Sequence, residues 1–515
     1  MAKLKVGVIE LITNGENHSL YGRVAHANFA SIMPQVIASW CDQRGHEVEY
    51  TVFTGFEDLE KIIPDDRDIV FIGAFTHAAL LAYALSNLLR SKGIVTVLGG
   101  PHARCYPDDA IRYFDYVAGF TNEEILDEIL DNCVPQKPVG TFLASKNQPV
   151  RLASMRERWK FAEPVMKKAP LFKVVSMIGS MGCPYTCSFC VDAAVKYQPL
   201  DFDSLREDLQ FLLTKIKNPI VAWHDPHFGI RFDEYMEVIA TAAPGGKIRH
   251  IAESSLSILS EDRLKVMKEN GFSAMAPGIE SWYEMGNKSN SMRKDGEEKL
   301  YQVAEHVNLI MKYIPYLQAN FVLGLDSYEG FEPFDLSKRF VDMAPASFPA
   351  YSLITSFGEG APHNLEYQKE NRIIPFPFHF MNTYHTMTIK PKHYDWVDFY
   401  DKIIDLFEYT FSAKAIYRRF MKNEGWITKY FNLIRGISSN GRGKLKYNRM
   451  IRQKLIEDVK FRDFFEGETT EIPQFYQDMI REDLGILWKW LPEGAMYHNP
   501  NAYLEKMKKS GELVG

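Results

Sequence analysis

The sequence predicts an α/β protein in three parts: a Rossmann-like parallel sheet, a central partial (β/α)6 TIM-like barrel, and a mostly helical C-terminal domain. Three observations carry this. From residue 4 to about 353, apolar runs of strand length alternate with segments of helical spacing, the pattern of parallel strands joined by crossover helices. The alternation breaks once, at 141–170, in a polar stretch with Pro149, Pro164 and Pro170. Beyond about 355 the strand runs stop and aromatic helical segments take over. The expected divisions are 1–140, a surface linker at 141–170, 171–354 and 355–515.

The first series begins with an apolar run at 4–12. Residues 29–44 have helical spacing and stop at Gly45, and 47–53 are strand-like. Apolar runs at 68–75 and 94–98 end in small residues, and 116–119 reads as a last short strand. Ligands of such sheets sit beyond the strand C-termini. That places 13–22, Thr76-His77 and Gly99-Gly100-Pro101-His102 on a binding edge. The second series has strands at 174–178, 220–223, 248–253, 274–279, 319–323 and 347–353. Helical segments such as 202–216, 261–270 and 294–313 separate them. Six βα units make a partial barrel, whose functional residues belong at the strand C-termini. The tail reads as helices at 396–411, 415–421, 426–437, 447–460 and 472–490.

Composition narrows the function. The chain has 515 residues, 46% hydrophobic and 24% charged, which excludes disorder and a disulfide miniprotein. A net charge of −6 does not suit coating nucleic acid. The stretch from Ile69 to Leu89 carries no charge and is long enough to span a bilayer. Thr76, His77, Ser86 and Asn87 favour strand, turn and helix instead. The start, MAKLKVGVIELI, has no small-residue cleavage site and reads as a strand. Cys41, Cys105 and Cys133 are scattered, as thiols of a reducing cytosol are. A cytoplasmic protein is expected.

The strongest motif is Cys183-Pro184-Tyr185-Thr186-Cys187-Ser188-Phe189-Cys190. Three thiolates within eight residues suit a cubic iron–sulfur cluster with one iron left open. A zinc site borrowing a fourth ligand is the alternative. The motif follows the first strand of the second series, where barrel active sites lie.

With Phe189 just before the last cysteine, this motif resembles the signature of the radical S-adenosylmethionine enzymes. Other segments match that family in order. Trp223-His224-Asp225-Pro226-His227-Phe228 resembles its second-strand segment, with Pro226 where an Asp is usual. Ile251-Ala252-Glu253-Ser254-Ser255 resembles the third. Gly278-Ile279-Glu280-Ser281 with Asn287-Lys288 downstream resembles the fourth, and Phe321-Val322-Leu323-Gly324-Leu325 the fifth, near the adenine. The resemblance implies a 4Fe–4S cluster on Cys183, Cys187 and Cys190, which are then both metal ligands and catalytic. It implies S-adenosylmethionine on the open iron, cleaved by one electron to a 5′-deoxyadenosyl radical. Phe189, Asp225, Glu253, Glu280, Ser281 and Gly324 are the candidate cofactor contacts. A sulfonium cofactor with a free amino group needs such carboxylates and hydroxyls.

The N-terminal part resembles the cobalamin-binding domain fused to one large class of these enzymes, through Leu98-Gly99-Gly100-Pro101-His102-Ala103 and its strand order. Small residues there let the backbone approach a bulky ligand. Thr76, Gly99 and Gly100 are the candidate cobalamin contacts. Two departures stand out. The Asp-x-His-x-x-Gly motif is absent, Glu16-Asn17-His18-Ser19-Leu20-Tyr21-Gly22 being one residue too long. The usual acidic Gly-x-Gly-Glu segment appears as Gly119-Phe120-Thr121-Asn122-Glu123. A scaffold that binds nothing is the competing reading of this domain.

Between Lys414 and Lys454 there are twelve basic residues and a single acid, Glu424, with aromatics interleaved. The segment is +11, so the rest of the chain is −17. It reads as a face salt-bridged to an acidic body, or as a peripheral membrane contact or entry patch for an amphiphilic anion. Nucleic acid is not an expected partner, since no β-rich RNA module is visible. The reading that follows is a cobalamin-dependent radical C-methyltransferase acting on a small-molecule or lipid-like substrate, with an electron donor such as flavodoxin or ferredoxin. The alternative is a non-methylating radical enzyme of the same build, forming C–C bonds, closing a ring or oxidising.

Overall fold

The structure is a computed structural model of the 515-residue chain. It describes residues 3–17, 30–169, 172–193, 195–283, 296–325 and 330–511. His18 and the rest of the 18–22 near-motif, and Asn287-Lys288, lie outside the described residues.

The first sheet contains β1 (Lys5–Leu11), β2 (Glu47–Phe53), β3 (Ile69–Ala74), β4 (Val95–Gly99), β5 (Tyr116–Ala118) and β6 (Thr141–Leu143). All pairings are parallel, in the order β2-β1-β3-β4-β5-β6. The order reverses between β1 and β3, which opens a crevice beyond their C-termini. The uncharged run resolves into β3, a 3-10 turn at Thr76–Ala78 and a helix at Ala79–Ser91. Among the described residues no helix is long and apolar enough to cross a membrane.

The expected linker is structured. Residues Thr141–Leu143 pair with β5 as the last strand of the first sheet. A helix at Met155–Lys168 packs on the helix Ile32–Gln43. Pro164 lies inside it, and a capping box of Ser154 and Glu157 starts it. Two of the three β6 side chains are exposed, so the strand leaves no apolar run to read.

The second sheet starts with β7 (Val174–Met177), followed by a small antiparallel pair, β8 (Ser180–Met181) and β9 (Gln198–Pro199). It continues with β10 (Ile220–Trp223), β11 (Arg249–Ser255), β12 (Phe272–Glu280), β13 (Tyr316–Leu323) and β14 (Phe348–Leu353). The order is β14-β13-β12-β11-β10-β7, wholly parallel and sequential, as a partial (β/α)6 barrel requires. Helices Phe202–Lys215, Phe232–Ala242, Glu261–Glu269, Gly296–Ile310 and Glu332–Met343 link successive strands.

The barrel is hollow. On β12 and β13 the outward residues Met275, Ile279, Leu317 and Phe321 are buried under the helices. The inward ones, Ala274, Ala276, Gly278, Glu280, Gln318 and Asn320, are small or polar and only partly buried. Closed barrels fill this space with layers of branched side chains; here a lumen remains.

The tail is helical from Trp396 onward, with seven α-helices from Trp396–Thr410 to Ala502–Ser510 among the described residues. Residues 355–395 are mostly irregular, with one helix at His363–Lys369. This stretch folds back onto the barrel: the Leu353 N–H at the end of β14 donates to the Thr383 carbonyl at 2.5 Å.

Candidate active site

The cysteine loop starts from the end of β7 and is held from several sides. Gly182 has φ +69°, and a Cβ there would lie 2.3 Å from the Lys196 carbonyl oxygen, so only glycine fits. The Cys183 N–H donates to the Val195 carbonyl at 3.2 Å. Ser188 pairs with His363 through side chains at 3.2 Å and through its carbonyl at 2.9 Å. Tyr185 lies against His227, with ring centroids 4.9 Å apart. From the first sheet, Arg104 reaches Asp192 at 3.5 Å. Cys183 and Cys187 are buried, and Cys190 and Phe189 half-buried.

Asp225, expected to touch the cofactor, serves as an anchor for this loop. It is 3% exposed. Its carboxylate accepts the Gly179 N–H at 3.1 Å, the Ser180 hydroxyl at 2.7 Å and the Tyr235 hydroxyl. Burial pushes its carboxyl pKa up, and these donors oppose that shift. A buried carboxylate so occupied fixes Gly179 and Ser180, where β8 begins. Ser281 is also turned inward: it is buried, and its hydroxyl accepts the Tyr283 N–H at 3.1 Å.

Glu253 and Glu280 stand on inward positions of β11 and β12, at the end that carries the cysteine loop. Glu280 has φ +66°, rare for a residue with a side chain, at an irregularity in the β12–β13 pairing. A Cβ on Gly278 would lie 2.1 Å from Glu280 Oε1, so the glycine makes room for that carboxylate. Gly324 has φ +89°, and a Cβ there would meet Met387 Sδ at 2.6 Å. It packs the strap 373–389 onto the end of β13.

A cavity of about 330 Å³ lies between the first sheet and the cysteine loop. Ala74, Gly99 and Gly100 line one side, and Gly182, His224 and Pro226 the other. It continues inward between Pro34, Val97 and Leu126, with Glu10 on its wall. Gly100 has φ +92°, and a Cβ would lie 2.8 Å from the Ala74 carbonyl oxygen. A Cβ on Gly99 would meet nothing within 4 Å: its face is open. Thr76 is buried and outside the lining, with its carbonyl accepting the Ala79 N–H, so its place is structural. His102 is fully buried and bonded to Tyr83, also structural.

Three residues that sequence reasoning passed over, Tyr384, His385 and Lys444, also stand at the lumen. The surrounding protein lowers the pKa of His224 and of His385 to about 4, and that of Lys444 to about 8, although both histidines open onto solvent-accessible space. The Lys444 ammonium lies 4.6 Å from the centroid of the Tyr384 ring, and Tyr384 feels the charges of Glu253 and Arg435. His224 lay inside the quoted Trp223–Phe228 segment without being singled out; Tyr384, His385 and Lys444 carried no local signal. A second cavity, of about 1330 Å³, lies where the strands begin, between Ile12, Ile251, Tyr316 and the helix Trp426–Ile437.

The donor chemistry fits the implied groups. Three thiols on one anchored loop match a cluster with an open iron. The glycine-walled cavity has the size and apolar depth for the nucleotide tail of a corrinoid, not for its whole ring. Among the described residues no three Cys, His, Asp or Glu side chains are already gathered as a metal cage, so ligation rests on this donor set.

Fold, cysteine loop and facing sheet are similar to those of the radical S-adenosylmethionine enzymes that carry an N-terminal domain of the cobalamin-binding type. No family model matches the chain. Among named proteins, it is 25% identical over 379 residues to bacteriochlorophyllide d C-12(1)-methyltransferase of Chlorobaculum tepidum, covering 71% of this chain and 80% of that one. It is 22% identical over 388 residues to the C-8(2)-methyltransferase of the same organism, covering 72% and 83%. Among solved structures, the methyltransferase TsrM from Kitasatospora setae, with cobalamin and a 4Fe–4S cluster bound, superposes with a TM-score of 0.51 at 14% identity, over 71% of this chain and 78% of that one. The cobalamin-dependent radical enzyme OxsB, with aqua-cobalamin bound, gives 0.53 at 12% identity, over 99% and 84%.

Proposed function

We propose that the chain is a cytoplasmic, cobalamin-dependent radical C-methyltransferase acting on a small, amphiphilic or polycyclic molecule. One observation carries this: the C-terminal strand ends of the first sheet face the cysteine loop across a glycine-walled cavity. With the corrinoid's tail in that cavity, a substrate in the adjoining barrel lumen would lie between a corrinoid on one side and the cysteine loop on the other. When bound, the cluster with S-adenosylmethionine supplies a hydrogen-abstracting radical, and the corrinoid supplies the methyl group.

The chain's own residues do the rest. Cys183, Cys187 and Cys190 hold the cluster, with Phe189 against it. Glu253 and Glu280 pair with the cationic end of S-adenosylmethionine, and the positive φ of Glu280 holds its carboxylate over Gly278. The open face of Gly99 and the tight turn at Gly100 admit the corrinoid. Tyr384, His385 and Lys444 stand at the lumen, where a bound substrate would meet them. The single electron comes from a donor such as flavodoxin or ferredoxin. Non-methylating radical chemistry is the lesser reading, since both named relatives are methyltransferases.

The test is anaerobic turnover with S-adenosylmethionine labelled in its methyl carbon and an extract of amphiphilic metabolites. Label in an organic product together with 5′-deoxyadenosine supports the proposal. Deoxyadenosine without transferred label contradicts it.

A further inference from the structure

The helix Trp426–Ile437 is amphipathic in the inverted sense. Its inward face carries Asn432, Gly436 and Arg435, with Asn432 and Gly436 buried. A Cβ on Gly436 would lie 3.1 Å from Ile416 Cγ1, so the helix packs tightly on the preceding one, Ala413–Lys422. Its outward face carries Trp426, Ile427, Tyr430, Ile434 and Ile437. Trp426 and Ile427 are 69% and 70% exposed. The preceding helix adds Tyr417, 66% exposed, and Met421. Phe420, Trp426 and Tyr430 join the two helices into one patch, with ring centroids 5.8 and 5.9 Å apart. A soluble helix points such side chains at the core; contiguous exposure of this kind marks an interaction face.

The basic residues of this segment divide into two groups. Arg418 pairs with Asp342, Arg449 with Glu408 and Arg452 with Asp401. Arg419 is buried and donates to the Ser347 carbonyl at 2.8 Å. Arg435 lies 4.1 Å from the centroid of the Phe348 ring and donates to Gln318. Arg418, Arg419 and Arg435 hold the tail to the barrel, and Arg449 and Arg452 brace the tail helices against Trp396–Thr410. Lys414, Lys422 and Lys429 instead enter no ion pair among the described residues and border the apolar patch. Glu424 is the only acid in the stretch. Aromatic rings with lysines around them suit the water–lipid boundary of an anionic leaflet.

We infer that the paired helices 413–422 and 426–437 dock the protein on the surface of an anionic lipid bilayer. The side chains of Trp426, Ile427, Tyr430 and Ile434 enter the headgroup region, and Lys414, Lys422 and Lys429 meet lipid phosphates. Residues 422–428, where the two helices meet, also rim the 1330 Å³ cavity, so docking brings the mouth of that cavity to the bilayer. The inference stands apart from the methyl-transfer proposal, because its test reads binding and not turnover.

The test is co-sedimentation of the purified full chain with vesicles of phosphatidylcholine alone and of phosphatidylcholine with phosphatidylglycerol, at low and high salt. The chain should pellet with the anionic vesicles and be released by salt. Lys414→Glu with Lys429→Glu, and separately Ile434→Ser with Ile437→Ser, should each lower the bound fraction at least tenfold, with unchanged circular dichroism. Pelleting that neither double variant alters overturns the inference. So does a chain that ignores all vesicles, whether it elutes as a monomer or as a dimer that Ile437→Glu splits, the latter meaning that a second copy covers the patch.

Discussion

Replacing Asp225 with asparagine separates an anchor from a cofactor contact. The carboxylate accepts from Gly179, Ser180 and Tyr235. A hydrogen bond to a charged acceptor contributes about 1.5–3 kcal/mol, a neutral one about 1. The amide keeps one acceptor oxygen and presents an N–H₂ where a hydroxyl donated. That loses one bond and the charge assistance of the others, roughly 3–4 kcal/mol. The amide also escapes the burial that pushes the Asp225 carboxyl up, which returns part of it. A net cost of about 2 kcal/mol favours displacement of the Gly179–Ser180 turn roughly 30-fold, since 1.4 kcal/mol is tenfold. The assay is chelator stripping of iron from reconstituted protein, followed by visible absorbance, with S-adenosylmethionine affinity measured on the clustered fraction. Iron should leave Asp225→Asn at least tenfold faster than wild type, with cofactor affinity within twofold. A cluster as durable as wild type with affinity down tenfold or more would refute the anchor role and make Asp225 a cofactor contact.

Two further expectations follow from the same geometry. Burial raises the Glu10 carboxyl from 4.5 to about 7, although Ser31 and Tyr50 donate to it. The protonated form is therefore the one the fold favours. Its contribution is complete below about 4.5 and is lost as pH rises through about 7, roughly 3 kcal/mol across that window. Glu10→Gln should flatten the pH 5–8 dependence of urea unfolding, and an unchanged slope would count against this. Cys187→Ala should abolish both the visible cluster absorbance and 5′-deoxyadenosine formation; retention of either would remove Cys187 from the ligand set.

The strands of both sheets were legible because buried parallel strands are short continuous apolar runs. Residues 220–223 match β10 end to end, and 47–53 match β2. The sheet order was not legible, since the pairing of β1 with β3 is set by contacts far apart in sequence. β6 escaped because Thr141 and Phe142 are exposed and the strand has three residues. The helix after it was hidden by Pro164, although Ser154 and Glu157 announced its start. At the site, the spacing of the three cysteines singled out their loop, and the resemblance of Gly278–Ser281 singled out Glu280, which the structure sets at the lumen end of β12. Asp225 was legible at a strand end, but its bonds to Gly179, Ser180 and Tyr235 were not, because burial is a property of the packed loop. In the basic segment, charge alone could not separate Arg419, buried beneath the barrel, from Lys422 on the surface. The region 355–395 has no period of its own and takes its course from the barrel it crosses.

The most direct test of the central claim is metal content: cobalt and iron per chain in protein expressed with cobalamin and purified without oxygen. The two facing sheets predict about one cobalt with about four iron, the iron of a single cubic cluster. Four iron with cobalt near zero would make the first sheet a scaffold and contradict methyl transfer through a corrinoid.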